Sequence, residues 1–223
     1  MVFTQLHAEL RLFGANEGVL ELSARAIEDE AFHAELCRLT AELYLQGPAT
    51  LAPPAHPPAP AFPVCSARVS RALFAALHSA INETLAVSYL SACLAEAESE
   101  TPQPVLKAIL SDEVRHARIG WAVLGSPKLS RHDRVTIASF MPALLDVCVG
   151  TWLADSEDCP DHLPAGHGHI GRSKIAVAID QTLDDVILPG LEHVRVDGTL
   201  ARRWVADARG SSESALSRAR SLA

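Results

Sequence analysis

The chain is poor in aromatic residues, in basic charge and in long apolar runs. Aromatic residues make up 5% of its 223 residues, and 19 Lys and Arg stand against 27 Asp and Glu, for a formal net charge of −8. Because no surplus of positive charge is available for a phosphate backbone, we expect no nucleic acid partner. No uninterrupted apolar run approaches the roughly 20 residues that span a bilayer, and the first residues do not have the pattern of a secretory signal. We therefore expect a cytoplasmic protein that does not enter a membrane.

The cysteines also exclude a class of protein. There are five of them, an odd number, and none forms a Cys-x-x-Cys pair, which argues against a disulfide framework. Cys37, Cys93 and Cys148 fall within apolar helical patterns, so we predict that all three are buried as small hydrophobic residues. Hydrophobic residues make up 48% of the chain and charged residues 21%, as expected of a globular protein with one sizeable core.

Apolar residues recur at three- and four-residue steps through most of the chain, which is the spacing of amphipathic helices. The predicted helices cover residues 3–13, 19–45, 67–98, 105–124, 131–152 and 174–187, with a short helix before the tail in 200–222. Seven prolines crowd residues 47–63 and favour a linker, because proline removes amide donors and stops helix propagation. No strand is predicted, so the fold class is all-α. We predict two antiparallel helix hairpins in 1–124, joined by the 47–63 crossover, and a helical extension in 125–223 packed on them.

A motif of two acidic residues and a histidine occurs twice. Asp29-Glu-Ala-Phe-His33 matches Asp112-Glu-Val-Arg-His116, and the two copies are 83 residues apart. Three residues are nearly one helical turn, so the glutamate and the histidine of each copy project from one helix face and can reach the same ion. Iron and manganese accept such mixed oxygen and imidazole ligands. The predicted metal ligands of the two motifs are Glu30, His33, Glu113 and His116.

The doubled motif resembles the ferritin-like superfamily, specifically its di-iron or di-manganese carboxylate proteins, over about residues 1–124. The resemblance implies a four-helix bundle in which each of the two remaining helices supplies one further glutamate. Glu83, thirty residues before Glu113 on the preceding predicted helix, corresponds to one of these terminal ligands.

Residue roles follow from the same resemblance. It implies that Glu30 and Glu113 bridge two metal ions and that His33 and His116 each bind one. It also implies that each motif aspartate hydrogen-bonds the histidine of the opposite motif, which assigns Asp29 and Asp112 to this supporting role. The implied cofactor is a pair of iron ions, with manganese as the other choice.

The first half of the chain departs from the family pattern. The 83-residue offset applied to Glu83 gives the position just before Met1, and Glu9, the nearest acidic residue, lies more than two turns from the expected level. The interpretation we favour is that the sequence begins inside its first helix, so that the sixth ligand lies upstream. The alternative is that one ligand has been lost.

We therefore expect a di-metal carboxylate protein that acts as an oxidoreductase or handles dioxygen or peroxide, with a substrate that the sequence does not identify. The residues beyond 124 would suit a lid, a substrate pocket or the surface of a homodimer. A competing hypothesis is a non-catalytic ferritin-like scaffold or interaction module with an incomplete site. Two smaller alternatives concern loop histidines near Cys159 as a second metal cluster, and Tyr44 and Tyr89 as redox-active neighbours. We favour ordinary loop histidines and core tyrosines.

Overall fold

The computed structural model describes residues 2–50, 62 and 65–221, with side chains through residue 210. Its described residues form helices and no β-strand, so the all-α class is confirmed for this part of the chain. Most of the predicted 47–63 linker lies outside the described residues. The helices are α1 (Val2–Phe13), α2 (Glu17–Leu45), α3 (Ala67–Ala75), α4 (Asn82–Ala95), α5 (Pro102–Leu124), α6 (Arg131–Asp155), α7 (Arg172–Thr182), α8 (Leu188–His193) and α9 (Thr199–Ser221).

Two short π-helical segments lie between helices without any break in the helical chain. Ala76–Ile81 joins α3 to α4, and Leu183–Ile187 joins α7 to α8. A π-helical turn inserts extra backbone into an α-helix and is frequently found at functional sites. Hydrophobic periodicity predicted a single long helix over residues 67–98 and gave no sign of this irregularity.

A tight turn joins α1 to α2 and sets them side by side. Gly14 has a φ of 74°, a left-handed conformation that glycine adopts without strain. Asn16 then caps α2, its side-chain oxygen accepting a hydrogen bond from the amide of Val19 at 2.9 Å. The two helices contact each other along their length, and His7 Nδ1 lies 2.8 Å from Ser23 Oγ. The Gly14 turn and the Asn16 cap, both local in sequence, therefore form the first predicted hairpin.

The contacts between helices place the first five helices around a shared interior. α1 contacts α2 and α3, α2 contacts α5, and α5 contacts the first π segment and α4. The extension packs on the same group, because α6 contacts α3 and the first π segment, α7 contacts α4, and α9 contacts α6. The division of the chain at residue 124 into a helical bundle and a C-terminal extension stays a prediction.

Two predicted helix ends differ from the structure. The helix predicted over residues 174–187 continues past its expected end, and Pro189 and Gly190 lie in the first turn of α8, which follows the second π segment without a break. Gly190 packs against the indole of Trp121, and a Cβ at this position would lie 2.7 Å from Trp121 Cη2. The last helix, predicted to be short, continues to Ser221.

Among the helices of the described residues, α6 is the one that could cross a membrane by length and composition alone. Its most apolar 18-residue stretch has a mean hydropathy of 1.6, and 39% of that stretch is buried within the structure. A core helix of a soluble protein has the same two properties, so the finding is weak evidence for a membrane.

Candidate metal centre

Three helices bring the predicted ligands together. α2 carries the first motif, α5 carries the second, and Glu83 lies in the first turn of α4. Four side chains converge here: Glu30, Glu83, Glu113 and His116. One potential ligand atom from each of them lies within 4.8 Å of the corresponding atoms of the other three. Three of these four are buried, and Glu30 is partly exposed. Carboxylates and an imidazole that converge in this way are a suitable donor set for a divalent iron or manganese ion.

The fifth predicted ligand, His33, lies beside this group. Its Nδ1 is 3.3 Å from Glu113 Oε1 and 3.9 Å from Glu30 Oε1. The centroids of the His33 and His116 rings are 5.8 Å apart. The structure therefore brings all five predicted ligands into one cluster.

The two motif histidines have matching environments. His33 Nε2 lies 3.0 Å from Asp112 Oδ2, and His116 Nε2 lies 3.3 Å from Asp29 Oδ2. Each imidazole thus donates from Nε2 to the aspartate of the opposite motif and turns Nδ1 toward the central glutamates. A hydrogen bond of this kind fixes the ring orientation and the tautomer that leaves Nδ1 free for a metal.

Arg115 is a residue of the site that the sequence interpretation missed. Its guanidinium contacts Asp112 and lies 3.9 Å from Asp29 Oδ2. A cation between the two aspartates reduces their mutual repulsion and keeps both available to the histidines. The spacing of three residues between Asp112 and Arg115 on one helix was a usable signal.

A close approach of two helix backbones sets the level of Glu83 against His116. A Cβ on Gly120 of α5 would lie 2.2 Å from the backbone nitrogen of Ala80 in the first π segment, so only glycine fits here. Ser79 lies at the same crossing, accepting a hydrogen bond from the Gly120 amide and donating one to the carbonyl of His116. Glu83 follows Ser79 by about one turn, so this crossing positions it at the centre.

Burial and proximity shift the protonation of the ligands. Burial raises the pKa of Glu83 well above its usual range, and the negative charge of Glu113 raises it further. Burial alone would raise the pKa of Glu113 and lower that of His116, but the hydrogen bond between them prevails. Together with the neighbouring His33 and Glu83 it lowers the pKa of Glu113 to about 2, and it helps raise the pKa of His116 to about 10. At neutral pH the centre therefore holds a proton on His116, and the raised pKa of Glu83 favours its protonated form.

Two buried side-chain nitrogens have no hydrogen-bond partner among the described residues, His33 Nδ1 and Arg115 Nε. His33 is 6% exposed, and its Nδ1 makes no hydrogen bond although it faces Glu113 and Glu30. A buried polar atom without a partner is costly and calls for an explanation such as a bound ion. A metal ion coordinated by Nδ1 would remove the cost, so the residues present fit a metal.

α1 brings apolar side chains to the centre and no carboxylate. The rings of Phe3 and His116 lie 5.0 Å apart. Glu9, the only acidic residue of α1, instead accepts from Arg71 Nε at 3.0 Å. The ligand set around His33 thus has one carboxylate fewer than the set around His116, as the comparison of the two motifs indicated.

The loop histidines do not join the cluster. His167 Nδ1 lies 2.9 Å from the hydroxyl of Tyr44, and His169 Nε2 lies 2.8 Å from the carbonyl of Pro160. Tyr44 is exposed, so the prediction that it lies in the core is wrong. The prediction that Cys37 is buried is also wrong, because its side chain is exposed, whereas Cys93 and Cys148 are buried as expected.

Comparison with known proteins adds no family to this description. Neither a family model nor a curated protein nor a solved structure matches the chain.

Proposed function

We propose that this protein is a ferritin-like carboxylate protein that binds two metal ions, iron or manganese, and acts as an oxidoreductase or in handling dioxygen or peroxide. The observation that carries the proposal is the reciprocal environment of His33 and His116. Each directs Nδ1 at the shared glutamates while its Nε2 is held by the aspartate of the opposite motif. A chance pair of surface motifs has no reason to adopt this exchanged arrangement.

The helix contacts support the finer fold assignment. α1, α2, α5 and the continuous helix formed by residues 67–95 contact one another in a closed order, as the four helices of a ferritin-like bundle do. Each motif lies on one member of this group and Glu83 on a third, which is the ligand distribution of that family apart from the glutamate of the fourth helix.

The ligand geometry suggests how two ions would be held. Glu83, His116, Glu30 and Glu113 surround one position, while His33 with Glu30 and Glu113 lines the second. Glu30 is 41% exposed at its side chain, so it can move between binding modes more freely than the buried Glu113. Bound iron would supply electrons to dioxygen or peroxide. The chain's own groups would hold the ions and exclude water, and the protons displaced from His116 and Glu83 would pass to the solvent.

The competing hypothesis is a non-catalytic helical scaffold. It is favoured by one observation, the hydrogen bond between His116 Nδ1 and Glu113 Oε2 at 2.8 Å, which satisfies both groups without a metal. We propose a cytoplasmic location and no nucleic acid or membrane partner for either function. A homodimer would suit either.

Metal analysis of protein purified from iron- or manganese-supplemented cells tests the proposal. We expect near-stoichiometric metal in the wild type, none in the Glu113→Ala, His116→Ala double variant, and an unchanged amount in Glu28→Ala, which removes an exposed carboxylate of α2. The ferrous wild type should also consume dioxygen or peroxide at an oxygen or peroxide electrode. A wild type without metal, whose thermal stability does not change on adding either ion, would overturn the proposal.

A further inference from the structure

A cavity of about 410 Å³ opens directly onto the ligand cluster. Glu30 and Glu83 form part of its lining. The remaining wall is mostly apolar and comes from α1, α2, the first π segment and α6, including Phe3, Ile27, Leu77 and Val147. Ligand sites of proteins are clefts of about 300–1,000 Å³ with apolar walls and a few placed polar groups. The size and lining of this cavity match that description.

α6 completes the wall, although it lies outside the four helices of the proposed bundle. Trp152 Nε1 donates to Asn82 Oδ1 at 3.1 Å, and the thiol of Cys148 lies 3.6 Å from the carbonyl of Leu77. Asn82 Nδ2 in turn donates to Glu83 Oε1 at 3.3 Å. These contacts hold α6 against the π segment and connect the cavity wall to a proposed metal ligand.

Thr151, a polar residue of the cavity wall, favours a ligand that donates a hydrogen bond. Thr151 Oγ1 donates its one proton to the carbonyl of Val147 at 2.8 Å, so its oxygen can only accept a further hydrogen bond. A bound molecule with a hydroxyl group could donate to it. An anionic molecule would enter against the carboxylate of Glu30 and lose its hydration at an apolar wall, which is costly.

We infer that the cavity binds an uncharged, mainly apolar organic molecule with a hydrogen-bond donor, such as a phenol or an alcohol, and holds it beside the metal centre as the substrate. The substrate role rests on the proposed function, whereas the binding itself rests on the cavity alone.

The probe is 4-propylphenol, compared with 4-propylbenzoate, which has the same apolar body and a negative charge. We expect the phenol to bind the full-length protein in calorimetry and the benzoate to bind at least about tenfold more weakly. In protein loaded with Mn²⁺, the paramagnetic ion should strongly increase the proton relaxation rates of the bound phenol, because Glu30 and Glu83 belong to both sites.

Two Val→Trp variants on α6 form a matched pair. Val147→Trp fills the cavity and should weaken phenol binding at least about tenfold, whereas Val135→Trp, on the exposed face of the helix, should leave binding unchanged. A gentler variant, Thr151→Val, keeps the side-chain shape, removes the acceptor and should weaken binding about fivefold. The manganese content should not change in any of the three.

The outcomes separate the two proposals. Mn²⁺ uptake without phenol binding, equal binding of the benzoate, or equal loss in both tryptophan variants would overturn the cavity inference and leave the proposed function standing. Phenol binding that Val147→Trp abolishes in a protein that takes up no metal would support the cavity site and overturn the proposed function.

Discussion

At the scale of single residues, the site depends on which nitrogen of each histidine faces the centre. Asp29 and Asp112 decide this by accepting from Nε2 of His116 and His33. Without that hydrogen bond the imidazole can turn or carry its proton on the wrong nitrogen. The aspartates therefore matter to metal binding although they touch no proposed ion position.

We predict that Asp112→Asn and Asp29→Asn each weaken metal affinity by about 10–100-fold, the usual effect of removing such a partner. The substitution keeps the shape and removes the charge that holds the Nε2 proton. Isothermal titration with Mn²⁺ measures the effect, and Glu28→Gln on the exposed face of α2 is the matched control. Wild-type affinity in both Asp→Asn variants would contradict the role assigned to the aspartates.

At the scale of helices, the decisive feature is the contact of α5 with the first π segment. The backbones approach so closely at Gly120 that a Cβ would lie 2.6 Å from the carbonyl oxygen of Ala75 as well as against Ala80. Ser79 then links the two helices beside His116. The position of Glu83 relative to the motif is thus set by backbone contact and not by the side chains of the motif itself.

We predict that Gly120→Ala destabilises the protein by about 1–3 kcal/mol or more, because the added methyl group must push two backbones apart. Gly150→Ala is the matched control, since a Cβ there meets nothing within 4 Å and alanine is the better helix former by about 1 kcal/mol. Chemical denaturation should show opposite signs for the two variants. A mild or stabilising effect of Gly120→Ala would show that the close approach does not occur in solution.

At the scale of the whole molecule, metal binding should be coupled to stability and to pH. The raised pKa of His116, about 10, leaves this histidine protonated at neutral pH in the metal-free protein, and the raised pKa of Glu83 favours its protonated form. A metal ion must displace these protons, so the metal-free state binds more protons than the loaded state. Metal affinity consequently rises as pH rises.

We predict that Mn²⁺ at about 100 times its dissociation constant stabilises the wild type by about 2.7 kcal/mol, which raises Tm by about 5–10 °C for a chain of this size. At a fixed Mn²⁺ concentration the increase should be larger at pH 8 than at pH 6. Differential scanning calorimetry measures it, with the Glu113→Ala, His116→Ala variant as the control. An increase that is larger at pH 6 would contradict the protonation assigned to the centre.

The sequence by itself determined the helical class, the first hairpin and the residues of the cluster. Hydrophobic periodicity and the Gly14 to Asn16 turn act over a few residues, and a motif repeated at a fixed offset reports which residues share a role. These signals are local or internal to the chain, so no fold is needed to detect them.

Only the tertiary structure decided the π segment under Gly120, the bridging position of Arg115, the exposure of Cys37 and the cavity wall that α6 supplies. Each of these features depends on which helices contact each other and how closely they approach. The hydrophobic periodicity of a single helix does not encode such contacts. Cys37 shows the limit most simply, because it follows the buried His33 by about one helical turn and is nevertheless exposed. The doubled motif predicted the residues of α2 and α5 that take part in the cluster, and the packing of α2, α4 and α5 brought them together with Glu83.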